Sequence, residues 1–264
     1  MNTLPSRTFA QKYHLKFVFW LILIVFLLLI SSNITESDLL AFFQGDSIQQ
    51  FGVILGKMMK PDWSFFPRIW EPLLETIRMA LVGTLVGSVI AVPVAMLSAS
   101  NVTKPAVVRS ITRFISNLIR TLPDLLLAAV FVAIFGFGPF AGILTLIIFS
   151  FGQMAKLLYE AIETIDKGPI DALETAGANK VQVIAFAIFP QVLNTFLSNF
   201  LYTFEVNIRS STVIGYVGAG GIGMLLQTVI KMFRYDQAGV IILAILVIVV
   251  LIEFLSNYVR SKLT

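Results

Sequence analysis

Cysteine is absent from the 264 residues, and histidine occurs once, at position 14. The first absence removes disulfide frameworks and thiolate metal sites. The second removes histidine metal sites and leaves His14, ahead of the first apolar block, with no partner for acid–base chemistry. Charge is scarce as well. Asp, Glu, Lys and Arg make up 13% of the chain, against about a quarter in soluble domains. No lysine motif of the phosphate-gripping loop type occurs, which excludes ATP hydrolysis by this chain. No persuasive internal repeat is visible, and a net charge of +4 is too small to mark a nucleic-acid surface.

What is present is apolar: 57% hydrophobic residues and a mean hydropathy of +0.89. They come in blocks separated by short polar stretches. Lipid offers the backbone no hydrogen bonds, so such blocks cross it as helices. At about 20 residues per crossing, the expected spans are Leu15–Ile30, Leu74–Leu97, Ile119–Phe135, Phe140–Leu158, Val192–Arg209 and Val240–Leu255. The first, with Arg7, Lys12 and Lys16 near it, is expected to be a retained helix. A cleaved signal peptide is the alternative, though no small-residue cleavage site follows Ser31-Ser32-Asn33. Lysine and arginine favour the cytoplasmic side. Lys104, Arg109 and Arg113, then Lys156, Lys167 and Lys180, then Arg260 and Lys262 place both termini inside. The uncharged link Gly136-Phe137-Gly138-Pro139 falls outside.

The stretch from Asn33 to Pro72 carries Phe42, Phe43, Trp63, Phe65, Phe66 and Trp70, which read as interfacial elements. Simple anchoring and contact with an external partner are both open. In the second span, Gly83, Gly87, Ala91 and Ala95 form one small face that permits close helix packing. Pro93 is expected to bend that helix.

Between the fourth and fifth spans, residues 160–189 are too polar to cross. Asp166-Lys167-Gly168-Pro169 reads as a helix start, with Asp171 and Glu174 suited to its positive end. Ile170, Leu173 and Ala176 share a face that would want a partner. Gly177 ends this helix and Asn179 caps the next, which runs into Pro190.

The order Asp171-Ala172-Leu173, then Gly177, then Phe189-Pro190 resembles the cytoplasmic loop of ABC-importer permeases. That family's pattern is Glu-Ala-Ala, three residues, Gly, and a hydrophobic–Pro ending. Here Asp171 stands for the glutamate and Leu173 for the second alanine. The stretches Ile119-Arg120-Thr121-Leu122-Pro123-Asp124, Gly136–Gly142, Phe189-Pro190-Gln191-Val192-Leu193 and Arg209–Gly223 are similar to the phosphonate and phosphite branch. The resemblance, covering roughly Glu71 to the C-terminus, implies an all-α type I importer fold, with residues 1–72 as an N-terminal helix and periplasmic segment and 73–264 as the permease core. It implies that Asp171, Ala172, Leu173, Glu174, Gly177 and Pro190 couple to an ATPase. The implied partners are a second permease copy, two ATPase subunits holding ATP and Mg, and a periplasmic substrate-binding protein in the bacterial inner membrane. No cofactor is expected on this chain. An amino-acid importer, or less readily a secondary transporter, is the alternative.

Inside the fifth span, Thr195, Ser198, Tyr202, Glu205 and Arg209 recur every three or four residues and share one helical face. Intramembrane charges usually face protein or water. This face is read either as lining the path of an anion, with Arg209 near the outer mouth, or as an intrahelical ion pair that packs spans together. Arg120 and Asp124 are read as a bland pair at the start of the third span. Gly218-Ala219-Gly220-Gly221-Ile222-Gly223 formally matches a dinucleotide fingerprint, but no acid follows at the required distance. Gly218, Gly220 and Gly221 are expected instead to form flexible backbone at an outer gate.

Overall fold

The structure, a computed structural model, describes residues 9–34 and 45–263. Phe42 and Phe43 lie outside them. The chain divides into two compact units, meeting between Gly56 and Lys57. In the first, helix α1 (Phe9–Ile34) is apolar from Phe17 to Ile30 and exposed there at every residue but Leu23, as a lipid-facing helix is. Helix α2 follows over Gly45–Met58.

In the second unit a 3₁₀ turn, Trp63–Phe65, leads into α3 (Phe66–Ser98). Asp62 caps the turn by accepting the hydroxyl and amide of Ser64, bonds that hold its carboxyl below the usual range. Then come α4 (Ala106–Thr121), α5 (Asp124–Phe135), α6 (Pro139–Glu163), α7 (Gly168–Thr175) and α8 (Lys180–Val183). A π turn, Ile184–Ile188, joins α8 to α9 (Phe189–Gly215), and α10 (Gly221–Lys231) and α11 (Tyr235–Leu263) complete the chain.

The protein is all-helical among its described residues, and α3, α6, the continuous stretch Lys180–Gly215 and α11 are each long and apolar enough to cross a membrane. The bent pair α4–α5, counted as one crossing, brings the number to as many as five among the described residues, and α1 adds a shorter apolar stretch, Phe17–Ile30. The helix α3 continues through both Pro72 and Pro93.

The third expected span is broken. Ile119–Thr121 belong to α4, and α5 departs from it at 83°. Pro123 has no N–H to give, and it pushes Leu122 to an extended ψ of 125°. The 12 residues of α5 rise only about 18 Å. Arg120 and Asp124 therefore sit on different helices, and among the described residues no ion pair joins them. Asp124 instead accepts the Leu125 amide at 2.9 Å.

The core is set by the small face of α3. A Cβ on Gly83 would stand 2.4 Å from Leu146 Cβ, and one on Gly87 would stand 2.6 Å from Ile147 O. With those two positions bare, α3 and α6 pack backbone to backbone. That closeness brings Thr84, Ser150 and Asn207 together. Asn207 Nδ2 donates to Thr84 Oγ1 at 2.7 Å and to Ser150 Oγ at 2.6 Å, all three fully buried. Buried polar groups persist when they find such partners, and this set ties α9 to the α3–α6 pair.

Candidate functional site

Three places gather the chemically capable residues. The first is the loop between α6 and α9. The Asp166 carboxylate accepts the Gly168 amide at 3.0 Å, and Pro169 occupies the first turn of α7. At the other end Gly177 takes φ +83°. Its amide donates to Glu174 O at 3.0 Å while the Ala178 amide donates to Leu173 O at 3.0 Å, the paired closure of a Schellman turn. Asn179 and Gln182 then exchange side-chain-to-backbone bonds at 3.0 and 2.8 Å in a complete capping box.

The apolar face of α7 does not look outward. Ile170 is buried against Leu158, Tyr159, Ile162, Val183 and Ile188, with Leu173 packed beside it. Ala176 is exposed, along with Asp171, Ala172, Glu174 and Gly177. The surface left for a partner is thus the polar side of α7 and its glycine turn. The expected free apolar face is already spent on the bundle, because a helix this short needs it to stay in place.

Gln191, which carries no periodic signal, clips the loop to the membrane helix. Its side-chain oxygen accepts the Asp166 amide at 3.1 Å, and its nitrogen donates to Ala187 O at 2.8 Å and to Asp166 O at 3.3 Å. The π turn just before it accommodates Pro190, which lacks an amide donor. On the other side of the loop, Arg113 Nη2 donates to Glu163 Oε1 at 2.5 Å and its guanidinium stacks 4.8 Å from the Tyr159 ring. The same Glu163 oxygen accepts the Ser100 amide at 2.7 Å. The C-terminal ends of α3 and α6 and the middle of α4 are therefore locked together immediately before α7.

The second place is the polar face of α9. Thr195, Tyr202 and Arg209 are exposed and Ser198 is half-buried, whereas Glu205 is only 6% exposed. Glu205 Oε1 accepts from Arg209 Nη2, the expected pair, and Oε2 accepts from Arg260 Nη2 at 3.2 Å. A buried carboxylate with two guanidiniums avoids the cost of an unpaired buried charge. Arg260 belongs to the last turn of α11.

The third place joins two glycine turns. Gly218, Gly220 and Gly221 all have positive φ, but the turn they make is not loose. A Cβ on Gly218 would lie 2.2 Å from the Phe137 ring, and one on Gly220 would lie 2.8 Å from Pro139. The amide of Gly138 donates to Gly218 O at 3.0 Å. Glu75 Oε1 accepts the Gly221 amide at 3.0 Å and Thr76 Oγ1 accepts that of Ile222 at 2.8 Å, capping α10. The expectation of flexible backbone is corrected here: positive φ serves a tight, side-chain-capped turn, and Gly221 already begins a helix. Glu75 shows in the sequence only as an acid at the head of an apolar span.

A model of the family described as binding-protein-dependent transport system inner membrane component matches residues 91–264. The chain is 35% identical over 216 residues to a phosphite transport system permease protein of Stutzerimonas stutzeri, covering 82% of this chain and 78% of that one. It is 40% identical over 189 residues to a phosphate-import permease protein of Mycolicibacterium smegmatis, covering 72% of this chain and 36% of that much longer relative. The fold is similar to an inward-facing methionine ABC transporter at a TM-score of 0.68 and 21% identity, covering 77% of this chain and 99% of that one.

Proposed function

Since the chain belongs to the family of binding-protein-dependent transport inner membrane components, we propose that it is the membrane subunit of an ATP-driven importer for phosphonate, phosphite or phosphate-like anions. The observation that carries the anion is Arg209: a cation left exposed on a polar face of a membrane helix, where charge is expensive unless it faces protein or water. Two copies would set their α9 faces, with Ser198, Tyr202, Glu205 and Arg209, around a shared path, as closed two-fold assemblies allow. Two ATPase subunits would bind ATP and Mg, and each would grip the exposed side of α7 at Asp171, Ala172, Glu174 and Gly177. Leu173 and Pro190 would shape that grip from within the chain. The stacked turns at Gly218, Gly220 and Gly221 would form the outer gate, where a periplasmic substrate-binding protein delivers its cargo. The working core would be the second compact unit from Lys57 onward, not 73–264, since Phe65 and Ile69 are buried with Leu73 and Ile222, and both termini would lie in the bacterial cytoplasm.

Coupling would run through the clips already described. Movement of α7 pulls Asp166, Asp166 pulls Gln191, and Gln191 is part of α9. A tilt of the ATPase pair is thereby delivered to the helix that bears the anion-facing residues.

The test is gentle purification of the tagged chain from its native membrane. An ATPase subunit recovered one-to-one, with a companion binding protein that takes phosphite or phosphonates, is the expected result. Recovery of the chain alone, with transport intact and indifferent to ATP, would overturn the reading.

A further inference from the structure

Glu205 is the single acidic residue of α9, and its two carboxylate oxygens go to different guanidiniums. Arg209 stands one turn farther on, with half its side chain exposed on the stripe that includes Thr195 and Tyr202. Arg260 comes from the last turn of α11, 55 positions away. Its own helix aims it: Arg260 Nη2 also donates to Asn257 Oδ1 at 3.0 Å and to the buried Ser256 Oγ at 3.4 Å.

A carboxylate paired with one guanidinium cancels most of that cation's field for an ion a few ångströms beyond. A carboxylate shared between two guanidiniums cancels only part of each. Arg209 and Glu205 alone would be a neutral pair, which has little to offer an anion. We propose that Arg260 is a positioning residue for anion passage: by holding one oxygen of Glu205 it leaves Arg209 with surplus positive charge on the exposed face of α9. This inference rests on the reading of that face as the path, and it extends it to the sign of the cargo. The carboxylate fixes Arg209 in place, and Arg260 prevents that fixing from silencing it.

Four variants test this in the complete importer in cells of the native host: Arg209→Gln, Arg260→Gln, Arg260→Lys and the double variant Glu205→Gln/Arg260→Gln. Uptake of radiolabelled phosphite and phosphate at saturating concentration is divided by the amount of assembled complex in the membrane. Arg260→Gln is expected to lower uptake per complex about tenfold, the factor that belongs to one modest charge interaction. The double variant is expected to return to within about threefold of the parent, because removal of the carboxylate frees Arg209 again. Arg260→Lys, which keeps the charge, is expected to keep most of the uptake.

If Arg260 merely staples α11 to α9, loss of uptake will follow loss of assembled complex, and the double variant will gain nothing per complex; that result overturns the inference. Unchanged uptake in Arg260→Gln also overturns it while leaving the path reading in place. Unchanged uptake in Arg209→Gln overturns the path reading itself. Should Arg260→Gln fail to assemble, the double variant is compared with its Arg209→Gln derivative. Uptake present in the double and lost in the triple supports the inference, and equal uptake in both overturns it.

Discussion

Gly87 in α3 has ordinary helical backbone and no room, since any Cβ there would press into Ile147 O and Ser150 Cβ at 2.6 Å. Gly177 after α7 is the reverse: its φ is +83°, and nothing lies within 4 Å of where a Cβ would be. The first glycine records a contact made inside the chain. The second records a bend that the chain needs and a surface that the chain leaves uncovered. The α3–α6 interface is finished within one copy, whereas the α7 turn presents a rigid, capped, outward-facing edge. A rigid edge with empty space in front of it is what a docking element requires, because its own shape costs nothing further to order.

The contrast breaks most visibly at Gly87. Gly87→Leu is expected to cost about 3 kcal/mol, the upper end for overpacking, because the obstacles include backbone atoms that cannot swing aside. Thr84, Ser150 and Asn207 would lose register with the helices that bear them. The check is the amount of protein in the membrane and its thermal aggregation midpoint in detergent. A Leu variant that accumulates and transports normally would show that the close approach is dispensable.

Gly177→Phe should do the opposite, leaving the protein in the membrane and abolishing uptake. The local strain is about 1–2 kcal/mol for a left-handed backbone, too little to unfold the bundle. Gly177→Ala carries that strain without the bulk. The comparison of Ala with Phe in an uptake assay, alongside copurification of the ATPase, separates backbone strain from a blocked surface. Uptake spared in both would mean that nothing docks there, and uptake lost in both would assign the effect to the backbone strain.

Gln191→Leu lies between the two regions. It removes three hydrogen bonds linking Asp166 and Ala187 to α9, each with a net value of about 1 kcal/mol. The expected outcome is an assembled complex that hydrolyses ATP with several-fold less uptake per ATP, measured by paired ATPase and transport assays. Unchanged coupling would move the transmission route to the Arg113–Glu163 lock.

The two regions also differ in how legible they were. Hydropathy and length announce α3, α6, α9 and α11, and small residues at four-residue spacing announce the face of α3. The loop was legible too, because Gly177, Asn179 and Pro169 are punctuation with local causes. The break at Leu122-Pro123 was hidden by the apolar run of α5, which made one long span look plausible. Gly218, Gly220 and Gly221 announce a break in the helix but not its tightness, since tightness comes from Phe137, Pro139 and Glu75, far away in sequence. Gln191 and Arg260 act on partners 25 and 55 positions away. No period of 3.6 carries such information, so Glu205 was visible with one partner and not with both. The apolar face of α7 looks free in the sequence for the same reason: the residues that cover Ile170 come from both flanking helices.

Asn179→Ala is the mildest change and the sharpest probe of what the loop is for. It deletes the acceptor for the Gln182 amide and leaves the other half of the capping box, the Gln182 side chain on the Asn179 amide, in place. An N-cap of this kind contributes about 1 kcal/mol, and the loss falls on the four residues of α8. The π turn and α9 continue beyond it, anchored by Val183, Ala187 and Ile188 in the core, so fraying stops there. Hydrogen exchange should therefore quicken at amides 180–183 and remain unchanged at Asn207. If the exposed edge of α7 is what the ATPase grips, uptake falls by less than about twofold, since the Schellman turn at Gly177 is closed by Leu173 and Glu174 without help from Asn179. A loss as severe as that of Gly177→Phe would mean that the stiffness of α8, and not the surface of α7, is what the motion passes through.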